Sequence, residues 1–126
     1  MRDFEYTEIV NSLREFKAQI FQALAHPTRI AVVEALTAGE CSAGALMALL
    51  GVEQANLSQH LAVLRTKQVV SARKSGNQVY YSLRDPVLGR VLELLRQYFY
   101  RQVRGTAALL ADLEEPPVRR PRRRRT

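Results

Sequence analysis

The chain has 126 residues, 47% of them hydrophobic and 25% charged, with a formal net charge of +7. This length allows one domain with a modest core, and no apolar run approaches the roughly 20 residues that span a bilayer. The acidic N-terminal segment lacks the apolar stretch of a secretory signal, and a lone cysteine, Cys41, excludes an internal disulfide framework. We therefore expect a cytoplasmic protein that stays out of membranes.

The positive charge is unevenly distributed along the chain. Six arginines lie in the last eleven residues, whereas residues 1–115 carry 13 basic and 12 acidic groups. Residues 54–84 carry five basic groups and no acid. Because this charge is concentrated in one folded segment, it indicates a polyanionic partner better than the overall isoelectric point does. We expect one domain over residues 1–115 and a disordered Arg/Pro-rich tail over residues 116–126.

Three helices are predicted in the first half of the chain. Apolar residues recur at three- and four-residue steps from about Thr7 to Leu24, which predicts the first helix. Pro27 suits the first turn of a second helix, and Gly39 ends it. The apolar face of this second helix is Ile30, Val33 and Leu36. Ser42 is a suitable N-cap for a short third helix over Ala43 to Leu50.

A fourth helix, a hairpin and a last helix follow. Gly51 makes the turn into a helix over residues 53–67. Residues 69–74 and 78–83 are rich in β-branched and aromatic side chains and flank a Ser-Gly-Asn tip, which predicts two strands. A capping acid and a proline begin the last helix, which runs from Pro86 to about Leu113. The fold class is therefore mainly α with a β-hairpin wing: a winged helix-turn-helix with five helices in the order α-α-α-α-β-β-α.

The outer face of the fourth helix carries side chains that can read DNA. Leu57, Leu61 and Leu64 face inward and leave polar residues outside. Asn and Gln can bond adenine edges in pairs, and Ser can serve a phosphate or a base. A solvated polar face is the alternative, but the absence of acids and the adjoining basic hairpin favour DNA. The predicted groove contacts are Gln54, Asn56, Ser58 and Gln59, with Arg65 bracing the helix or meeting a phosphate.

The hairpin carries a second group of candidate contacts. Arg73, Lys74, Asn77 and Gln78 cluster near its tip. These side chains could contact the phosphate backbone or the minor groove. Charged residues also protect a strand edge from aggregation, and both roles can hold together.

Three stretches of the chain resemble a known family, the small dimeric bacterial winged-helix regulators of the ArsR/SmtB type. They are ALAHPTRIAVVEAL at residues 23–36, ANLSQHLAVLRTKQVV at 55–70 and RKSGNQVYYSL at 73–83. With the flanking helices, the resemblance covers about residues 6–112. It implies a homodimer formed through the first and last helices, a double-stranded DNA operator as partner, and repression as the usual outcome.

The resemblance also raises the question of a metal effector. Many members of the family hold two thiolates at the start of the third helix, but here Ser42 and Gly44 occupy those positions and Cys41 lies one place earlier. The last helix has no His or Cys and carries several arginines that would repel a cation. Neither usual metal site of the family is intact, so no metal ligand is assigned. A transition metal at a non-standard site, or oxidation of Cys41, stays open as the effector signal.

The two histidines, His26 and His60, are interpreted as structural. The leading hypothesis is a homodimeric, sequence-specific transcriptional regulator, more often a repressor by resemblance. The alternatives are a winged-helix protein-interaction module with a basic tail, or a regulator that needs an accessory protein. An enzyme is not expected, because the sequence offers no nucleophile–base pair, carboxylate cluster or phosphate-cradling glycine loop.

Overall fold

The computed structural model describes residues 3–114. Its five helices and β-hairpin confirm the winged helix-turn-helix architecture predicted from sequence. The predicted disordered tail, residues 116–126, lies outside the described residues. None of the described helices is both long and apolar enough to cross a bilayer.

Helices α1 (Asp3–Leu24), α2 (Pro27–Thr37) and α3 (Ala43–Leu50) make up the first half of the chain. Helix α1 begins four residues before the predicted Thr7. Acidic residues in the first turn stabilise this start, but they do not contribute to the apolar periodicity on which the prediction was based. Helix α2 begins at Pro27 as predicted. Helix α3 has the predicted bounds, and the Ser42 hydroxyl accepts a bond of 3.0 Å from the Ala45 amide.

Helix α4 (Gln54–Thr66) leads into a three-stranded antiparallel sheet of β1 (Cys41–Ser42), β2 (Val70–Ser75) and β3 (Gln78–Leu83). The strand order is β1-β3-β2, so the hairpin predicted from sequence gains a short third strand. Two residues are too few to show strand periodicity, which is why β1 was not predicted. The hairpin tip is two residues long rather than three, since Ser75 pairs with Gln78, and Gly76 supplies the left-handed backbone with φ of 61°.

Helix α5 (Val87–Leu113) begins one residue later than predicted, with the Asp85 carboxylate accepting a 2.9 Å bond from the Val87 amide. The chain divides into two compact units, the first ending at Leu92 and the second beginning at Glu93. The first unit has a single apolar core. Its buried members are Ala23, Leu24, Val32, Val33, Leu36, Leu46, Leu57, Leu61, Leu64, Val69 and Val70.

The second unit contains the rest of α5, whose large apolar side chains are exposed. Nine of them are at least 46% exposed. They are Leu94, Leu95, Tyr98, Phe99, Tyr100, Val103, Leu109, Leu110 and Leu113. Such a helix leaves extensive apolar surface in water unless another element covers it.

Candidate DNA-binding surface

Helix α4 is fixed by its apolar side and presents its polar side to solvent. Gly51 ends α3 in the left-handed region, with φ of 64°, and so turns the chain sharply into α4. Leu57, Leu61 and Leu64 are at most 3% exposed and anchor the helix in the core. The five predicted contact residues on α4 are all exposed. They are Gln54, Asn56, Ser58, Gln59 and Arg65.

The fold brings the start of α4 and the tip of the wing to one concave surface. A groove of about 620 Å³ is lined by Gln54 and Ser58 from α4 and by Asn77 and Gln78 from the hairpin. Residues 42–45, which are the N-cap and first turn of α3, and Val79 and Tyr81 of β3 form the rest of its wall. Four of the nine residues predicted to touch DNA therefore share one groove, although the two pairs lie far apart in sequence.

The outermost stripe of α4 includes small residues that sequence reasoning passed over. Positions separated by three or four residues lie on the same side of a helix, so Ala55, Gln59 and Ala62 share the face opposite Leu57 and Leu61. All three are exposed. Ala55 and Ala62 have no hydrogen-bonding side chain, so the sequence does not mark them as DNA contacts. An alanine at this face nevertheless lets a helix approach a base edge closely and can contact a thymine methyl group.

The two cations of the wing differ in their surroundings. Arg73 donates two bonds to the Glu40 carboxylate, at 2.8 and 2.5 Å, and its guanidinium lies 4.7 Å from the centre of the Tyr80 ring. The hydrogen bond from Arg73 lowers the pKa of Glu40, so the pair stays ionised at neutral pH. Lys74 is exposed and has no ion pair with another residue between 3 and 114.

Glu40 is a partner of the wing that the sequence did not indicate. The acid-free segment 54–84 receives this carboxylate from 33 residues upstream of Arg73, through the α2–β1 connection. No local pattern signals a pairing over that distance. The predicted excess of positive charge on the wing is therefore partly offset in the folded chain.

Arg29 and the two histidines join the back of α4 to the helices before it. Arg29 Nε donates to His60 Nδ1 at 3.3 Å, and its Nη1 donates to the Ala23 carbonyl at 3.1 Å. The Thr28 amide donates to His26 Nδ1 at 3.1 Å, so His26 is the N-cap of α2. The two imidazole rings lie 4.2 Å apart. Burial, with smaller contributions from His26 and Arg29, lowers the pKa of His60.

The residues at the family's usual thiolate positions do not fit a metal ion. Ser42 uses its hydroxyl to cap α3, and Gly44 has no side chain. Cys41 is half-buried in β1 opposite Tyr81, and its thiol lies 3.8 Å from the Gly39 carbonyl. Within residues 3–114, no three His, Cys, Asp or Glu side chains converge as metal ligands would.

Comparison with known proteins identifies the family. A helix-turn-helix domain family matches residues 24–66. The chain is 40% identical over 102 residues to the uncharacterized HTH-type transcriptional regulator Rv0081 of Mycobacterium tuberculosis, covering 80% of this chain and 90% of that protein. It is 44% identical over 101 residues to the HTH-type transcriptional regulator CmtR of the same organism, covering 80% and 78%.

Solved structures give the same result. The crystal structure of Rv0081 matches with a TM-score of 0.69 and 38% identity over 75% of this chain and 96% of that one. The transcriptional repressor BigR of Xylella fastidiosa matches with a TM-score of 0.64 and 30% identity over 79% and 97%. A homodimeric winged helix-turn-helix domain of a possible ArsR-family regulator from Mycobacterium bovis matches with a TM-score of 0.63 and 25% identity over 70% and 82%. This chain belongs to the ArsR-type winged helix-turn-helix transcriptional regulators, which bind DNA and are not enzymes.

Proposed function

We propose that the chain is a homodimeric repressor that binds an imperfect inverted repeat, with α4 in the major groove and the wing along adjacent phosphates. The observation that carries this proposal is the shared groove. Gln54 and Ser58 of α4 face the same space as Asn77 and Gln78 of the wing. A duplex seated there would meet a reading helix and a backbone-contacting hairpin together.

Within this proposal, the predicted contact residues take different roles. Asn56 and Gln59 bond base edges, with Ala55 and Ala62 allowing close approach. Gln54, Ser58, Asn77 and Gln78 contact sugar and phosphate around the groove. Lys74 supplies the wing's main free charge, because Arg73 is engaged by Glu40. Arg65, in the last turn of α4, meets a phosphate.

The homodimer is supported by apolar surface that one copy leaves in water. On α1, Tyr6, Ile9, Phe16 and Phe21 are each more than half exposed. On α5, the nine exposed side chains named above extend from Leu94 to Leu113. Burying apolar area stabilises association by roughly 25 cal/mol per Å² before the costs of association are subtracted. We infer that these two helices form the dimer interface, and the similar Mycobacterium bovis domain is itself homodimeric.

Replacing Asn56 and Gln59 together with Ala tests the reading helix. Operators are first selected by the parent protein from a random-sequence duplex library, and affinities are measured by fluorescence anisotropy. We expect the double variant to lose preference for the operator over random DNA, by about 1–3 kcal/mol for each lost bidentate contact. Affinity for random DNA should change little, because the phosphate contacts remain.

The matched control is the variant N11A/Q22A, which removes the same two residue types from exposed positions on α1. It should keep the operator preference of the parent. Equal preference in the parent and in N56A/Q59A would overturn the assignment of α4 as the reading helix.

A further inference from the structure

We infer that Arg29 is a positioning residue for DNA reading: it sets the orientation of α4 through His60 and does so only while His60 is neutral. This inference rests on the proposed function. His26, Arg29 and His60 form a cluster that we name the histidine node. Arg29 meets α4 at His60, which is not one of the predicted DNA contacts, so its effect on DNA reading passes through that helix.

Arg29 ties α4 to two other helices at once. Its Nη1 donates to the carbonyls of Gln22 at 3.4 Å and Ala23 at 3.1 Å, which are acceptors at the C-terminal end of α1. Its Nε donates to His60, which immediately follows the predicted base contact Gln59. Because the guanidinium is planar and its donors are fixed in a fork, holding it on α1 also fixes where His60 must sit. A change at Arg29 therefore reaches the reading face through one residue.

The hydrogen bond from Arg29 determines which nitrogen of His60 is free of a proton. His60 Nδ1 accepts from Arg29 Nε. An accepting nitrogen carries no proton, so this arrangement requires a neutral His60 with its proton on Nε2. Protonating His60 at Nδ1 would remove the acceptor and place a second cation beside Arg29. The arrangement seen in the structure is thus incompatible with a charged His60.

The surroundings of His60 keep it neutral to lower pH than usual. Burial, His26 and Arg29 all lower its pKa from the ordinary value of about 6.5. The two groups that act on His60 by charge are His26, the N-cap of α2, and Arg29 within α2. Since the pKa of His60 is lower in the folded state, neutral His60 makes its full contribution to the free energy of unfolding above about pH 6.5. It is lost as the pH falls through the lowered pKa.

The test measures the ratio of affinities for a selected operator and for random duplex DNA, between pH 7.5 and 5.5. The ratio is used because acidification raises affinity for any DNA by adding positive charge, and that effect cancels. We expect the parent's ratio to fall about tenfold on acidification, as expected for a lost hydrogen bond to a charged group. H60N keeps an acceptor near the Nδ1 position but cannot titrate, so its ratio should match the parent at pH 7.5 and stay flat.

R29Q should lower the ratio about tenfold at pH 7.5, and R29K should do the same although it keeps the charge. The matched control is R14Q, which removes an arginine that makes a 3.4 Å bond to Asn11 on the same helix. Its ratio should equal the parent's. Circular dichroism at each pH confirms folding, and if R29Q fails to fold, the pH profile of H60N decides.

Two results would overturn the positioning role. One is an H60N ratio that falls with pH as the parent's does; the other is a folded R29Q or R29K that keeps the parent's ratio. Operator preference in the parent would leave the proposed function standing in either case. A parent that prefers no sequence at any pH would overturn the proposed function and the positioning role together.

Discussion

The basic residues of segment 54–84 differ in whether a carboxylate already binds them. Arg73 and Lys74 are neighbours in β2 and look equivalent in sequence, yet only Arg73 is bound by Glu40 and lies against Tyr80. An arginine that already satisfies a carboxylate releases fewer counterions from DNA than a solvated lysine does. The two positions therefore make different contributions to an interface, which a count of basic residues does not show.

Replacing Lys74 with Ala should flatten the salt dependence of DNA binding. The slope of log affinity against log salt should fall by about 0.9 for the one lost phosphate contact. Arg73→Ala is the matched control at the adjacent position, and it should change the slope by less because Glu40 already offsets its charge. Anisotropy titrations from low to moderate salt give both slopes. A larger change in Arg73→Ala than in Lys74→Ala would contradict this assignment.

Among the elements, α2 and the first turn of α5 pack unusually closely. A Cβ on Gly89 would lie 2.7 Å from Thr37 Oγ1 and 2.9 Å from its Cγ2, whereas real side chains essentially never approach so near. The Thr37 hydroxyl is itself held by a 2.9 Å bond to the Val33 carbonyl. Position 89 therefore requires glycine because a Cβ would collide with the Thr37 side chain, and not because of its backbone conformation.

The variant G89A should be destabilised despite alanine's better helix propensity. Overpacking costs about 1–3 kcal/mol, against a gain of about 1 kcal/mol for removing a helical glycine. The double variant G89A/T37A should recover stability, since it removes the clashing atoms. A Cβ on Gly44 would meet no atom within 4 Å, so G44A is the control and should be neutral or stabilising. Urea unfolding gives the free energy of unfolding of all three variants. A G89A variant as stable as the parent would contradict the close contact between Gly89 and Thr37.

The elements that sequence predicted well are those specified by local chemistry. Ser42 caps α3, Asp85 caps α5, and the leucines at 57, 61 and 64 bury α4, each through neighbours within a few residues. The features that were missed depend on distant pairs. Strand β1 exists because Cys41 meets Tyr81, while Glu40 meets Arg73 and Arg29 meets His60, all more than 30 residues apart. Such pairings have no local signature, so the charge balance of the candidate surface could not be predicted from the sequence.

At the scale of the whole molecule, sequence-specific binding by α4 depends on a dimer. One α4 helix can bond only a few base edges, so useful discrimination against random DNA requires a second copy. The exposed apolar side chains of α1 and α5 provide surface for that pairing. A two-fold dimer reads half-sites about one helical turn apart, roughly 34–36 Å along B-DNA.

The most direct test is to select duplexes from a random library with the full chain and weigh the resulting complex by analytical ultracentrifugation. We predict an imperfect inverted repeat with half-site centres about 10 base pairs, or a multiple of one turn, apart. The complex should contain two chains per duplex. A single half-site bound by one chain, or no enriched sequence at all, would contradict the claim.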